Sequence, residues 1–297
     1  MSATLTDGQV ELRSDTDQAL VVGPGTSYRF TIDWLNWWSA APVRTSDVER
    51  GGVNGVLAGR DLLGAHSTIV QVQIIGDTAD DLADKIDAWK AATQSSTDDF
   101  VTIRANLLGR TRRRIGRFRV PGEIITRGRV TTGGHVVNGS TQFVAFDGIT
   151  YGDTQAQAIT TRELPGAGFS VPFTPPFSLA ASSGGSVSIM NGGNRNAPWT
   201  ARLDGPLQYP EIVHTQTGRR LFLALEANGG VDLQAGQWLE LDSNARSVLL
   251  NGTADRRSNL TVDSTWWELL PGSNDFTLRA DDGTGSLTIT TRDAWLS

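Results

Sequence analysis

The stretch from Leu249 to Ser297 leaves no room for a helix. Asn251-Gly252 is a tight-turn signal, because both residues tolerate positive φ. An apolar run from Thr265 to Leu270 stops at Pro271-Gly272-Ser273-Asn274, a second turn. Phe276, Leu278 and Ala280 then alternate with Thr277 and Arg279, the period of a half-buried strand. Asp282-Gly283-Thr284-Gly285 turns the chain again, and Leu287 and Ile289 alternate with threonines. Strand and turn in this succession predict the closing part of an antiparallel β-sandwich. Trp295 is expected to cover the core of that sandwich. Because Thr291 and Asp293 fit a buried face poorly, a bulge between Thr290 and Ala294 is expected to reset the phase.

The preceding residues read the same way. Ser186–Met190, Trp199–Leu203, Leu221 to Leu225, Trp238–Leu241 and Val248–Leu250 are short strands separated by Gly, Asn and Asp turns, the spacing of a sandwich or jelly roll. Upstream, residues 161–176 are rich in Pro and Gly and read as a linker. The chain therefore divides into an N-terminal domain, 1–160, the linker, and a C-terminal sandwich, 177–297.

The N-terminal part has edge strands between Val10 and Val22, an alternating run at Tyr28–Asp33, and an aromatic cluster of Trp34, Trp37 and Trp38. Pro42 to Gly64 is a long Gly-rich connection, the kind that is functional or ordered by a partner. Thr68–Ile75 is a clear strand, with Val70, Val72 and Ile74 on one face. One helix is expected over 78–93. Thr78 followed by Asp81 resembles a capping box, Asp80, Asp81 and Asp84 suit the positive end of the dipole, and Leu82, Ile86 and Trp89 form one apolar stripe. Short strands at Phe100–Arg104 and Gln142–Phe146 follow. Between them, Gly109 to Arg119 is the most basic segment. Its arginines would either meet a partner or stand on a solvated edge strand and discourage edge pairing.

Composition narrows the function. The chain has 297 residues and no cysteine, so neither disulfides nor thiolate chemistry is available. A net charge of −6 argues against a general nucleic-acid binder. No basic-then-apolar leader opens the sequence and no apolar run reaches membrane-span length, so no membrane association is expected. Nothing reads as an active site. His66, His135 and His214 lack metal-ligand spacing. Glu240 and Asp242 lie on the outer face of an alternating strand, and Asp281-Asp282-Gly283 is an ordinary turn. No catalytic residue, metal or cofactor is expected, and the protein reads as a non-enzyme.

Two groups of motifs carry a resemblance. At the C-terminus they are the hairpin ending Leu-Asn-Gly, then WWELLPGSN, a Gly-Thr-Gly turn, a Leu-Thr-Ile-Thr strand and a final Arg-Asp-Ala-Trp-Leu. In the N-terminal half they are WLNWWSAAPVRTSDVERGGVNGVLAGRDLLG, the helix introduced by Gly-Asp-Thr, and FVAFDGITYGD. In this order they resemble the distal tail proteins of siphophages, the long-tailed bacteriophages. The resemblance implies a mainly β protein: a split-barrel-like N-terminal domain with one helix and a galectin-like sandwich. It further implies a structural virion protein, made in the host cytoplasm. That protein would form a hexameric ring between the tail tube protein and the tail-tip protein, with its sandwich supporting receptor-binding proteins and its lumen passing the tape measure and DNA. On this reading the subunit interface takes in Trp34, Trp37, Trp38, Arg44, Asp47 and Trp89, and Arg112, Arg113, Arg114 and Arg117 contact a partner. The rival reading is a carbohydrate-binding sandwich module for host-surface adsorption. It needs several of Trp199, Trp238, Trp266, Trp267 and Trp295 exposed on one face.

Overall fold

The computed structural model describes residues 4–31, 37–94, 99–125, 135–162, 185–224 and 229–296. They form two compact units, Met1–Asp153 with Trp295–Ser297, and Thr154–Ala294.

The first unit is one curled antiparallel sheet, a helix and two short two-stranded pairings. Its strands are β1 (Val10–Arg13), β2 (Ala19–Val22), β3 (Tyr28–Phe30), the short β4 (Val43–Arg44), β5 (Val48–Glu49), β6 (Val56–Leu57) and β7 (Leu62–Leu63), then β8 (His66–Gly76), β9 (Val101–Leu107), β10 (Arg110–Ile125), β11 (His135–Ala145) and β12 (Ile149–Gly152). The sheet runs β2-β1-β9-β10-β11-β8-β3, and its two end strands approach each other through the turn where Gly23 N–H donates to Tyr28 O at 2.7 Å. The result is a nearly closed, split barrel, as expected. Along β8 the period is two: Val70, Val72 and Ile74 enter the core with Leu12, Ile103, Phe118 and Phe143. β10 is the longest strand because two register shifts, around Val120, let it bend. Pro121 falls within the second, where a missing N–H removes no ladder bond.

Helix α1 (Ala79–Ala92) starts and stops where its caps predict. Thr78 Oγ1 accepts from Asp81 N–H at 3.1 Å, and Asp81 pairs with Lys85 at 2.7 Å on the exposed side. Leu82 and Trp89 are buried and Ile86 is partly so. Trp89 fits because the strands beneath it carry glycine: a Cβ at Gly122 would lie 2.5 Å from its Nε1, and one at Gly139 would lie 3.0 Å away.

A charged cluster ties β1, β9, β10 and the end of β12 together. Arg104 Nη1 donates to Glu11 Oε2 at 2.6 Å and its Nε to Asp153 Oδ1 at 2.9 Å, and Arg113 also pairs with Asp153. Burial pushes the Asp153 carboxyl up, but the hydrogen bonds from Arg104 and Arg113 outweigh it and hold the group at about 2. The ordinary aspartate value is about 3.9. The contribution of Asp153 is therefore complete above that value and is lost as pH falls through about 2. Asp153→Asn is expected to flatten the acid limb of the first unit's stability between roughly pH 4 and 2, read as melting temperature against pH. An unchanged acid limb would show that the cluster does not couple to folding.

The second unit is a sandwich. β13 (Ala156–Thr161), β14 (Ser186–Asn191), β15 (Trp199–Asp204), β16 (Leu207–Gln208), β17 (Glu211–His214), β18 (Arg219–Phe222), β19 (Asp232–Leu233), β20 (Trp238–Asp242), β21 (Ser247–Leu250), β22 (Ala254–Asp255), β23 (Gly272–Arg279), β24 (Asp282–Gly283) and β25 (Ser286–Thr291) form it. The sheets run β13-β25-β15-β20-β21-β22 and β14-β23-β17-β18, with a small third sheet β19-β16-β24. Leu203, Leu239, Leu241, Leu287 and Ile289 are buried on the first sheet, and Ile212, Leu221, Phe276 and Leu278 on the second.

Two expectations need correction. By sequence, residues 156–161 fall at the end of the N-terminal domain and the start of the linker. They form β13, which pairs with β25 from Ala156↔Thr291 to Thr161↔Ser286, so they belong to the second unit. Of the expected linker 161–176, residues 163–176 lie outside the described residues. Trp295 does not cover the sandwich. The sandwich strand ends at Thr291, whose Oγ1 donates to Pro198 O at 2.8 Å, and Asp293 Oδ1 accepts Gly192 N–H at 2.7 Å. The next strand, β26 (Ala294–Leu296), pairs with β12 in the first unit. The poor fit of Thr291 and Asp293 marked the end of a strand, not a bulge within one.

Candidate assembly surface

Three features of the first unit bear on assembly. The first is a set of three arginine–tryptophan contacts. Inward-facing positions of β10 alternate as Arg112, Arg114, Gly116 and Phe118, so two arginines of the basic segment point to the interior. Arg114 is fully buried. Its guanidinium lies over the Trp37 ring, 4.4 Å from the centroid, and donates to Trp37 O. It also hydrogen-bonds His66 Nδ1 at 2.9 Å, Thr68 Oγ1 at 2.8 Å and Thr150 Oγ1 at 2.9 Å. Burial pushes its pKa down to about 9, so it stays charged at neutral pH. Arg112 lies 4.2 Å from the Trp295 ring and 5.5 Å from that of Trp38.

The second feature begins just after Trp37 and Trp38. Residues 42–62 are exposed throughout and fold back on themselves as a two-stranded ribbon. β4 pairs with β7 and β5 with β6, and Asp47 Oδ1 accepts Gly59 N–H at 2.8 Å. Val43, Val48, Val53, Val56, Leu57 and Leu62 all face solvent. An isolated two-stranded ribbon is marginal in water, and six exposed aliphatics on one add no core of their own.

The third is the outward face of the sheet around β10. Phe100 and Phe146 meet edge to face at 5.8 Å, with Arg117 over the first ring and Arg119 over the second.

The expected interface residues therefore separate. Arg44 and Asp47 are on the exposed ribbon, and Trp38 remains substantially exposed at its root. Trp34 lies outside the described residues. Trp37 and Trp89 are buried in the first unit's own core, which removes their side chains from a subunit contact. Of the arginines, Arg117 is on the outward face, Arg113 is paired with Asp153, Arg112 lies between tryptophans, and Arg114 is inside. β10 is not a solvated edge strand, because it has β9 on one side and β11 on the other, and only its outward-facing arginines are placed to meet a partner. The exposed aliphatics of the ribbon were missed as individuals, although the length of the connection signalled the segment.

In the second unit Trp199 and Trp267 are buried, with ring centroids 5.0 Å apart, against Phe276 and His214. Trp238 is half-buried beneath Arg202. Among the described residues these tryptophans make no common exposed face. His214 is held between Thr217 and Asn274, and no group of three or more His, Asp or Glu could hold a metal among the described residues.

Residues 192–295 match the family described as siphovirus-type tail component, C-terminal domain. The match spans most of the second unit, which is thus similar to a tail-component domain of that class. The chain as a whole shares the fold of the SPP1 Dit protein (gp 19.1), whose crystal structure is described as a paradigm of the hub adsorption apparatus in phages infecting Gram-positive bacteria. The identity is 16%, with 90% of this chain and 94% of that one covered, and the TM-score is 0.58. A chain of the phage P2 baseplate in its activated conformation with Ca aligns at 8% identity over 96% of this chain and 97% of that one, with a TM-score of 0.47. No curated protein matches in sequence. The sequence motifs, the family match and the fold all carry a likeness to bacteriophage tail components of the distal-tail type.

Proposed function

We propose that this chain forms a ring at the distal end of a phage tail tube, hexameric as its resemblance implies. The ring joins the tube to the tail-tip protein and leaves a lumen for tape measure and DNA. The ribbon at residues 42–62 carries this reading: it exposes six aliphatics that no described residue covers. A surface of that kind on a folded subunit needs a neighbour, and a head-to-tail contact that closes gives a cyclic assembly. The sandwich then serves as the outward module for receptor-binding proteins, with no catalytic step involved.

The purified chain is expected to form closed rings under negative-stain microscopy and mass photometry. Replacing residues 45–61 with a short turn is expected to leave a folded monomer. A wild-type chain that stays monomeric at tens of micromolar, or a truncated one that still closes, would defeat the reading.

A further inference from the structure

Besides the ribbon, the first unit exposes large apolar side chains on the outward face of β10, and the two surfaces suit each other. Phe100 is 61% exposed, and Ile115 and Phe146 are 39% exposed. Phe100 precedes β9 and Phe146 follows β11, so the two rings flank β10 on the side away from the core. The guanidinium groups of Arg117 and Arg119 lie 5.0 and 5.2 Å from these rings, so the face presents aromatic edges beneath positive charge. Phe and Arg together are the residues that interface centres favour. The middle of the ribbon has the complementary character. Val56 stands opposite Glu49 and Val48 opposite Leu57, so one side of it presents an exposed carboxylate beside an exposed aliphatic.

We propose that the ribbon of one copy lies across the Phe100–Ile115–Phe146 face of the next, with Glu49 directed at Arg119. This rests on the ring reading and names the receiving surface. The contact is heterologous, ribbon to sheet face, so each subunit uses both surfaces once and the repeat can close. The ribbon's exposed aliphatics gain packing, and the aromatic pair loses its exposure to water.

The chain contains no cysteine, so introduced cysteines report the contact without background. Full-length Val56→Cys/Ile115→Cys is expected to give a ladder of disulfide-linked copies on mild oxidation. Mixing the two single variants should give linked pairs, and each alone should give none. Independently, Arg119→Glu is expected to lower the assembled fraction at least about tenfold at fixed concentration, through like-charge repulsion. Glu49→Arg/Arg119→Glu should restore it. Intact rings with no ladder and no response to Arg119→Glu overturn this inference and leave the ring reading standing. Linking by Val56→Cys alone also overturns it, because ribbon would then meet ribbon. A monomeric wild-type chain overturns both.

Discussion

Trp89→Ala is expected to destabilise the first unit by about 3–5 kcal/mol, the range for truncating a buried aromatic. For a unit of this size that corresponds to a melting shift on the order of 6–20 °C. The size of the effect follows from the slot that receives the ring. Trp89 is fully buried, and Gly122 and Gly139 let β10 and β11 approach it more closely than any side chain would permit. The helix cannot settle into the vacated space, because Thr93 at its end is already in contact, its Oγ1 accepting Gly122 N–H at 2.8 Å. The cavity therefore persists, and the cavity term adds to the lost transfer energy. Amide exchange in β8 and β11 should rise in step with the loss, while strands of the second unit keep their protection. An unchanged denaturation midpoint would mean that the helix does not seal this core.

Arg114→Ala is the second large effect, also about 3–5 kcal/mol, the cost of breaking a buried charged network by removing one member. His66, Thr68, Thr150 and the Trp37 carbonyl all lose a donor inside the barrel. Arg114→Lys should recover little, since a point-like ammonium cannot reproduce a planar fork with several fixed donors. Arg119→Ala, on the exposed side of the same strand, should change stability by less than about 0.5 kcal/mol. Chemical denaturation of the three variants tests the order. Hydrogen exchange adds a second readout, because releasing the Trp37 carbonyl should loosen the root of the ribbon in Arg114→Ala but not in Arg119→Ala.

Those two arginines show where the sequence was legible and where it was not. The helix was readable almost to the residue, because Thr78, Asp81 and the Leu82–Ile86–Trp89 stripe are local signals that tertiary packing had no reason to override. The period-two strands were readable for the same reason: Val70, Val72 and Ile74 belong to one face whatever lies opposite. For the arginine run 112–114 the strand's period, not its charge, decides which side chains turn inward. Counting back by twos from Phe118, whose side chain belongs in a core, reaches Gly116, Arg114 and Arg112. What that count does not reveal is why a buried guanidinium is tolerated. The answer lies in Trp37, His66 and Thr150, which are distant in sequence. The same limit applied to Trp295: alternation predicts a face within one strand, but not the sheet that a strand joins. The ribbon was visible only as a long Gly-rich connection. Its exposed aliphatics become informative only in the folded unit, where no described residue covers them.

The pairing of β26 with β12 has a consequence for the order of folding. β12 is synthesised before the whole of Thr154–Ala294, and β26 after it. As the chain leaves the ribosome, the first unit can close its barrel around Trp89 and Arg114, yet it must wait with one strand missing and Arg112 without its Trp295 cover. Contacts of such long sequence separation form late. The nascent first unit therefore passes through a stage in which the β12 edge is open to any strand that arrives, including one from a neighbouring nascent chain. Rapid formation of the sandwich, whose β13 and β25 are paired at Ala156 and Thr291, shortens that stage by bringing Trp295 back towards the place where the chain departed.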